Sequence, residues 1–205
     1  MVLHYTAMDS AEAALARLCD PVAEVSAHYL IGGDGRLWQM VAEEQRAWHA
    51  GAGSWAGQGD INSRSIGIEL DNRGTHPFSE PQMAVLELLL KQILGRWSIA
   101  PEGVIAHSDM APGRKVDPGP RFDWARLASL GLARATPSAF EAAKKGADFT
   151  APEVSARFTS LCAAAGYSAE SSPEALLQAL RLRHAPMRQG PCCEVDMALL
   201  YALTS

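Results

Sequence analysis

The chain has 205 residues, a formal net charge of −5, 48% hydrophobic and 20% charged side chains, which are the proportions of an ordinary globular protein and exclude a disordered chain or a disulfide miniprotein. The acidic balance argues against nucleic acid as a partner, since sequence-independent binding needs a basic face to neutralise phosphates. No apolar run reaches the roughly 18 residues that a transmembrane helix requires, and Cys19, Cys162, Cys192 and Cys193 form no spaced framework that would demand an oxidising compartment.

In chain order, Val2 to Thr6 is a short apolar run bounded by Asp9-Ser10, which predicts a buried strand. MVLHYTAMDS shows no basic leader or cleavage site, so the chain as given reads as cytoplasmic, or as periplasmic or outer-membrane-associated if an upstream segment is missing. Ser10 predicts an N-cap for a helix to about Cys19, with Ala14, Leu15 and Leu18 inward. His28 to Ile31 and Leu37 to Val41 flank Gly32-Gly33-Asp34-Gly35 and read as a hairpin. In Ser65 to Leu70, period-2 alternation sets Ile66, Ile68 and Leu70 on one face and Glu69 on the other.

Ser79 and Gln82 form a capping-box pattern ahead of Met83, Leu86, Leu90, Ile93 and Leu94, a helical stripe running to about Trp97. Val104 to His107 predicts another strand, residues 108 to 121 a Pro- and Gly-rich loop, and Phe122 to Leu130 a closing helix stopped by Gly131. Strands alternating with helices predict a central sheet covered by helices, an α/β or α+β fold. Residues 1–132 are expected to form this domain and 133–152 a linker. Three short helical patterns fill 153–205, with Val154, Phe158, Leu161 and Ala165 in the first, Leu176, Leu177 and Leu180 in the second, and Val195, Leu199 and Leu203 in the third. A unit this small is marginal alone and is expected to lean on the main domain.

The chemistry-bearing residues are His4, His107 and Asp117, the ligand types of an open catalytic zinc site, in which three protein groups hold the ion and a fourth position is left for water or substrate. Each alone has a plainer reading: His4 as a core histidine, His107 as a strand-end residue, Asp117 as a turn former beside Pro118. Spacing does not prove a metal, because no HExxH or CxxC signature is present. A sheet pairing strands 2–6 and 104–107 would nevertheless bring the three together. Glu69, a carboxylate in an apolar strand, is the candidate general base unless it is a solvated edge residue. Lys115 lies near the same cleft and can stabilise an oxyanion, or else is a solvated loop lysine. Trp48 and His49 suit the wall of a sugar or peptide site, or a packed Trp with a surface His. His28 reads as structural, and His184 with Cys192-Cys193 lacks paired metal spacing.

At LHYTA, SAHYLIGGDGRLWQMV, RAWHAGAGSWAGQGDINSRSIGIELDNRG and VIAHSDMAPGRKVDPGPRFDW the chain resembles the zinc-dependent N-acetylmuramoyl-L-alanine amidases that share a fold with phage T7-type lysozyme and peptidoglycan recognition proteins. The resemblance implies a central mixed sheet, one Zn²⁺ on His4, His107 and Asp117, catalytic Glu69 and Lys115, and a pocket lined by His49. It also implies a peptidoglycan or muropeptide substrate, cut between N-acetylmuramic acid, or its 1,6-anhydro form, and L-alanine. Arg64, Arg114 and Arg121 are candidates for the carboxylates of the stem peptide, and Trp48 for its sugar. Residues 150 to 205 resemble the helical peptidoglycan-binding module of one branch of this family. Two other readings stay open: a non-catalytic peptidoglycan-binding protein using the same groove, and a structural zinc domain with His49 as fourth ligand.

Overall fold

A computed structural model of the chain describes residues 1–137, 152–168 and 170–205, so most of the expected linker, residues 138–151, lies outside the described residues. The sheet has five strands: β1 (Val2–Tyr5), β2 (Tyr29–Ile31), β3 (Leu37–Gln39), β4 (Gly67–Leu70) and β5 (Ile105–Ala106), in the order β3-β2-β4-β1-β5. Strand β1 is parallel to β4 and β5, β4 is parallel to β2, and β2 and β3 form the expected antiparallel hairpin. The sheet is therefore mixed.

One face of the sheet is apolar because the alternation of β1 and β4 sends Leu3, Ile68 and Leu70 the same way. Against it lies α2 (Glu80–Trp97), which buries Met83, Leu86, Leu89, Leu90 and Ile93. At its N-terminus Ser79 Oγ accepts from the Gln82 N–H at 3.3 Å, but Gln82 does not complete the expected capping box. Its Nε2 instead donates to the carbonyls of Ile31 at 2.8 Å and Asp71 at 3.2 Å, pinning the helix to the ends of β2 and β4. The Ile31 carbonyl also takes the Asp71 N–H at 2.9 Å, so the Gln82 amide adds a second donor there and bridges to the partly buried Asp71 carbonyl.

Helix α1 (Ala11–Leu18) starts where expected, with Ser10 Oγ accepting from the Ala13 N–H at 3.1 Å; Ala14 is buried, while Leu15 and Leu18 are only partly covered. The strand expected over Val104 to His107 ends at Ala106. There the Asp109 carboxylate accepts the Ala106 N–H at 2.8 Å and the chain turns into α3 (His107–Met110), so His107 sits on a turn at the strand's end. Helix α4 (Trp124–Ser129) is capped by Asp123, which accepts from the Arg126 N–H at 2.9 Å.

The last three helices, α5 (Pro152–Ala164), α6 (Pro173–His184) and α7 (Glu194–Thr204), enclose a separate apolar cluster that includes Phe158, Cys162, Leu176, Leu180, Leu199 and Leu203. The unit does lean on the sheet domain, through Trp55 packed against this cluster and through a buried ion pair between Arg183 and Asp109. Among the described residues no helix is long and apolar enough to cross a membrane.

Candidate metal centre

The face of the sheet opposite α2 carries the polar residues. Since β1 and β4 are parallel with His4 directly beside Glu69, the two side chains project from the same face. The turn after β5 brings in His107, and the following loop returns Asp117 to the same point. His4 Nδ1 lies 2.8 Å from His107 Nδ1 and 3.1 Å from Asp117 Oδ2, and His107 Nδ1 lies 2.9 Å from Asp117 Oδ2. All three residues are buried, and they form a group that could hold a metal ion.

The hydrogen bonds behind the two imidazoles decide what these atoms carry. His107 Nε2 donates to the Ala50 carbonyl at 2.9 Å, which leaves Nδ1 of the neutral ring as a lone pair. Ser65 gives its proton to the Ile61 carbonyl at 2.6 Å and so accepts from His49 Nε2 at 3.3 Å. His49 Nδ1 can then only accept, and it takes the proton of His4 Nε2 at 3.0 Å. His4 is left with a bare Nδ1. Two nitrogen lone pairs and a carboxylate oxygen therefore meet with no proton among them, an arrangement that repels itself unless a cation sits between. Two neutral imidazoles and one carboxylate make the donor set of an open zinc site, and each imidazole has the outer hydrogen bond that fixes a ligand's tautomer.

Burial and the neighbouring His107 lower His4 to about 4, and burial with the nearby imidazoles lowers His49 to about 2, so both rings stay neutral near pH 7. For Asp117 burial alone would raise the pKa, but any proton taken up on the facing nitrogen of His107 or His4 bonds to the carboxylate, which outweighs burial and holds the group well below its ordinary range. Glu69 behaves oppositely. Burial pushes its carboxyl up to about 8, with the Asp117 charge adding to the shift and Lys115 opposing it. Although the residue as a whole is partly exposed, its Oε2 is shut off from solvent and accepts no hydrogen bond among the described residues.

His4, Glu69, His107, Lys115 and Asp117 all line one cleft of about 460 Å³, together with Trp48, His49 and Arg114. Trp48 is 55% exposed, with Arg46 stacked over its ring at 4.2 Å. Arg114 Nη2 donates to the carbonyls of Ala50, at 2.6 Å, and Ala52, which holds its guanidinium against the loop beside the cleft. Arg64 does not join them; it bonds Gln58 at 3.0 Å and borders another cavity, beside Glu43 and Trp97. His49 does not supply a fourth donor to the trio, because its Nδ1 is engaged by the far nitrogen of His4. His28 is structural as expected, accepting from the Gly67 N–H at 3.0 Å. The His184 Nδ1, for which the sequence suggests no partner, lies 2.9 Å from Thr136 Oγ1.

Two residues of this site escape a reading of the sequence. Asn62 is buried, and its Oδ1 accepts the N–H groups of His49 at 3.1 Å and Ala50 at 2.8 Å, shaping the loop behind both imidazoles; Ser65 anchors His49. Both are short polar residues just ahead of an apolar strand, a pattern common in ordinary turns. The available signal was that they sit between Trp48-His49 and Glu69.

A family model described as N-acetylmuramoyl-L-alanine amidase matches residues 1–120. The chain is 45% identical over 148 residues to the N-acetylmuramoyl-L-alanine amidase AmiD of Escherichia coli, covering 64% of this chain and 52% of AmiD. It is 41% identical over 106 residues to the 1,6-anhydro-N-acetylmuramyl-L-alanine amidase AmpD of Enterobacter cloacae, covering 52% of this chain and 57% of AmpD. The chain thus spans just over half the length of these curated relatives. Among solved structures, E. coli AmiD in complex with anhydro-N-acetylmuramic acid-L-Ala-D-gamma-Glu-L-Lys superposes with a TM-score of 0.88 at 34% identity, covering 98% of this chain and 86% of that one. A Pseudomonas aeruginosa protein in complex with anhydromuramic pentapeptide gives a TM-score of 0.85 at 32% identity, covering 98% of this chain and 89% of that one.

Proposed function

The chain belongs to the N-acetylmuramoyl-L-alanine amidase family, and from that premise we propose that it hydrolyses the amide between the lactyl group of N-acetylmuramic acid, or of its 1,6-anhydro form, and the L-alanine of the stem peptide. His4, His107 and Asp117 would hold one Zn²⁺, Glu69 is the general base and acid, and Lys115 steadies the developing oxyanion. The observation that carries this reading is the meeting of three proton-free donors beside Glu69, whose Oε2 is buried and unpartnered among the described residues, in one cleft. The relatives crystallised with anhydromuramyl peptides support the substrate class.

Zinc in this donor set supplies Lewis-acid polarisation of the scissile carbonyl and acidifies water. The protein's own groups do the rest. Glu69, raised to about 8, is matched to exchanging protons near neutral pH: it takes one from the attacking water and returns it to the leaving amine of L-alanine. Lys115 at the mouth of the cleft offers its ammonium to the oxygen on which negative charge builds. His49 holds the tautomer of His4, Trp48 offers an exposed ring to the sugar, and Arg114 presents a cation to the anionic peptide. Residues 1–132 form the catalytic unit, and 153–205 are a helical module that assists in binding peptidoglycan.

The test incubates the protein with intact sacculi and, separately, with soluble anhydro-muropeptides, and reads the products by mass. The expected products are a free stem peptide beginning at L-alanine and a sugar with a free lactyl carboxylate. Cleavage only of glycosidic bonds or within the peptide would overturn the proposal.

A further inference from the structure

Arg183, in α6, is 6% exposed and reaches out of the helical unit to the turn behind His107. Its Nη1 donates to Asp109 Oδ2 at 2.8 Å, its Nη2 to the Val104 carbonyl at 3.1 Å, and its guanidinium lies over the Trp124 ring at 4.0 Å. Asp109 is fully buried. The same Oδ2 accepts the Ala106 N–H at 2.8 Å, where β5 ends and the turn that aims the His107 imidazole begins, and Oδ1 accepts from the Tyr167 hydroxyl at 3.4 Å. A carboxylate at this depth needs an opposite charge, and the helical unit supplies it.

The same unit also reaches the second support of His107. The loop bearing Ala50, whose carbonyl takes the His107 Nε2 proton, continues to Trp55, which packs edge-on against Tyr167 at 5.2 Å. The next residue, Ala56, donates its N–H to the Gly166 carbonyl at 2.7 Å. The helical unit thus contacts the Ala106–His107 turn through Asp109 and the loop that carries Ala50 through Trp55 and Ala56.

We propose that Arg183 is a positioning residue for His107, so that the helical unit completes the metal centre by holding Asp109 and, through it, the turn at Ala106. This inference rests on the metal reading of the trio. Without the guanidinium, Asp109 Oδ2 loses one of the two donors that hold it in place, and the hydrogen bond it takes from Ala106 N–H, which fixes the Ala106–His107 turn, is weakened. Partners bonded directly to a metal ligand change metal affinity by about 10- to 100-fold, and Arg183, one bond further out, is placed at the lower end of that range.

A control lies inside the same helical unit. Arg181 pairs with the buried Asp196 at 2.9 and 2.6 Å and bonds the carbonyls of Gly190 and Pro191, all within residues 173–205. Arg181→Met should therefore weaken the unit while leaving Asp109 untouched. The experiment uses the full chain, stripped of metal, at a temperature where circular dichroism shows each variant folded. Zinc affinity is measured by competition with a chelator, and the visible spectrum of the Co²⁺-loaded protein reports the ligand geometry. Arg183→Met is expected to lose about 10-fold in zinc affinity and to shift the Co²⁺ bands; Arg181→Met should lower the unfolding midpoint and leave both unchanged. Should Arg183→Met not fold, Arg183→Gln, which keeps a donor but not the charge, is read in the same way. Wild-type zinc affinity and spectrum in the Arg183 variant, or an equal loss in Arg181→Met, would overturn the proposal alone. Failure of the wild-type chain to bind zinc or Co²⁺ would remove the metal reading, and this inference with it.

Discussion

Gly67 shows how little tolerance the site has at the level of single residues. A Cβ built there would fall 2.4 Å from the His49 ring, whose Nδ1 holds the proton of His4 Nε2. Gly67→Ala must therefore displace His49 and free the tautomer of His4. Zinc affinity should fall by about 10- to 100-fold, the range for disturbing an outer partner of a metal ligand; unchanged affinity in a chelator competition would remove His49 from the support of the site. Glu69 makes two expectations. Replacing it with Gln should leave bound zinc unchanged, measured by elemental analysis, while turnover falls by at least ~100-fold, the lower end for a positioned acid or base. Its titration also predicts a stability effect in metal-free protein. Because burial raises Glu69 from an ordinary 4.5 to about 8, the native chain holds this proton more tightly than the unfolded one. The group's contribution to stability is whole below about 4.5 and is lost as pH rises towards 8. Urea unfolding should show Glu69→Gln gaining on the wild type across that window and level outside it. Parallel profiles would mean that the carboxyl is not buried in its charged form.

Among the elements, what the sequence made readable is what depends on near neighbours along the chain. Alternation in Ser65 to Leu70 assigns Ile68 and Leu70 to the core and Glu69 to the other face, and the observed β1–β4 register adds that Glu69 stands beside His4. The hairpin of β2 and β3 and the long α2 follow from glycine punctuation and helical periodicity in the same way. What stayed hidden depends on distant partners. Val104 to His107 reads as one strand because its residues are apolar, whereas the end of β5 at Ala106 is set by the Asp109 carboxylate. Gln82 reads as half of a capping box, yet its amide is taken by Ile31 and Asp71 across the sheet. Gln82→Met would take that donor from the partly buried Asp71 carbonyl but would also remove Gln82 Oε1, which is buried without a partner among the described residues, so the cost in urea unfolding should be about 1 kcal/mol. A change near zero would show that water reaches this carbonyl.

Taken as a whole molecule, the described residues form three apolar clusters, one between the sheet and α2, one among α5, α6 and α7, and a smaller one around Val2, Ile61, Ile105 and Met110, with Trp55 packed against the last two and the Arg183–Asp109 ion pair beside them. The meeting of His4, His107 and Asp117 was legible because the topology that follows from parallel strands carries the chain ends of β1 and β5 to one point. The exclusion of Arg64 from the cleft, and the reach of Arg183 to Asp109, were not, since each depends on how loops and helices pack over that sheet. Three proton-free donors that could hold one cation meet beside Glu69. The most direct test of that grip titrates metal-stripped protein with Zn²⁺ while following release of stem peptide from anhydro-muropeptide. The expected result is no turnover at the start, a linear rise, and a break at one zinc per chain that disappears in His4→Ala and Asp117→Ala. Full turnover before any zinc is added, or an unchanged break in those variants, would contradict it.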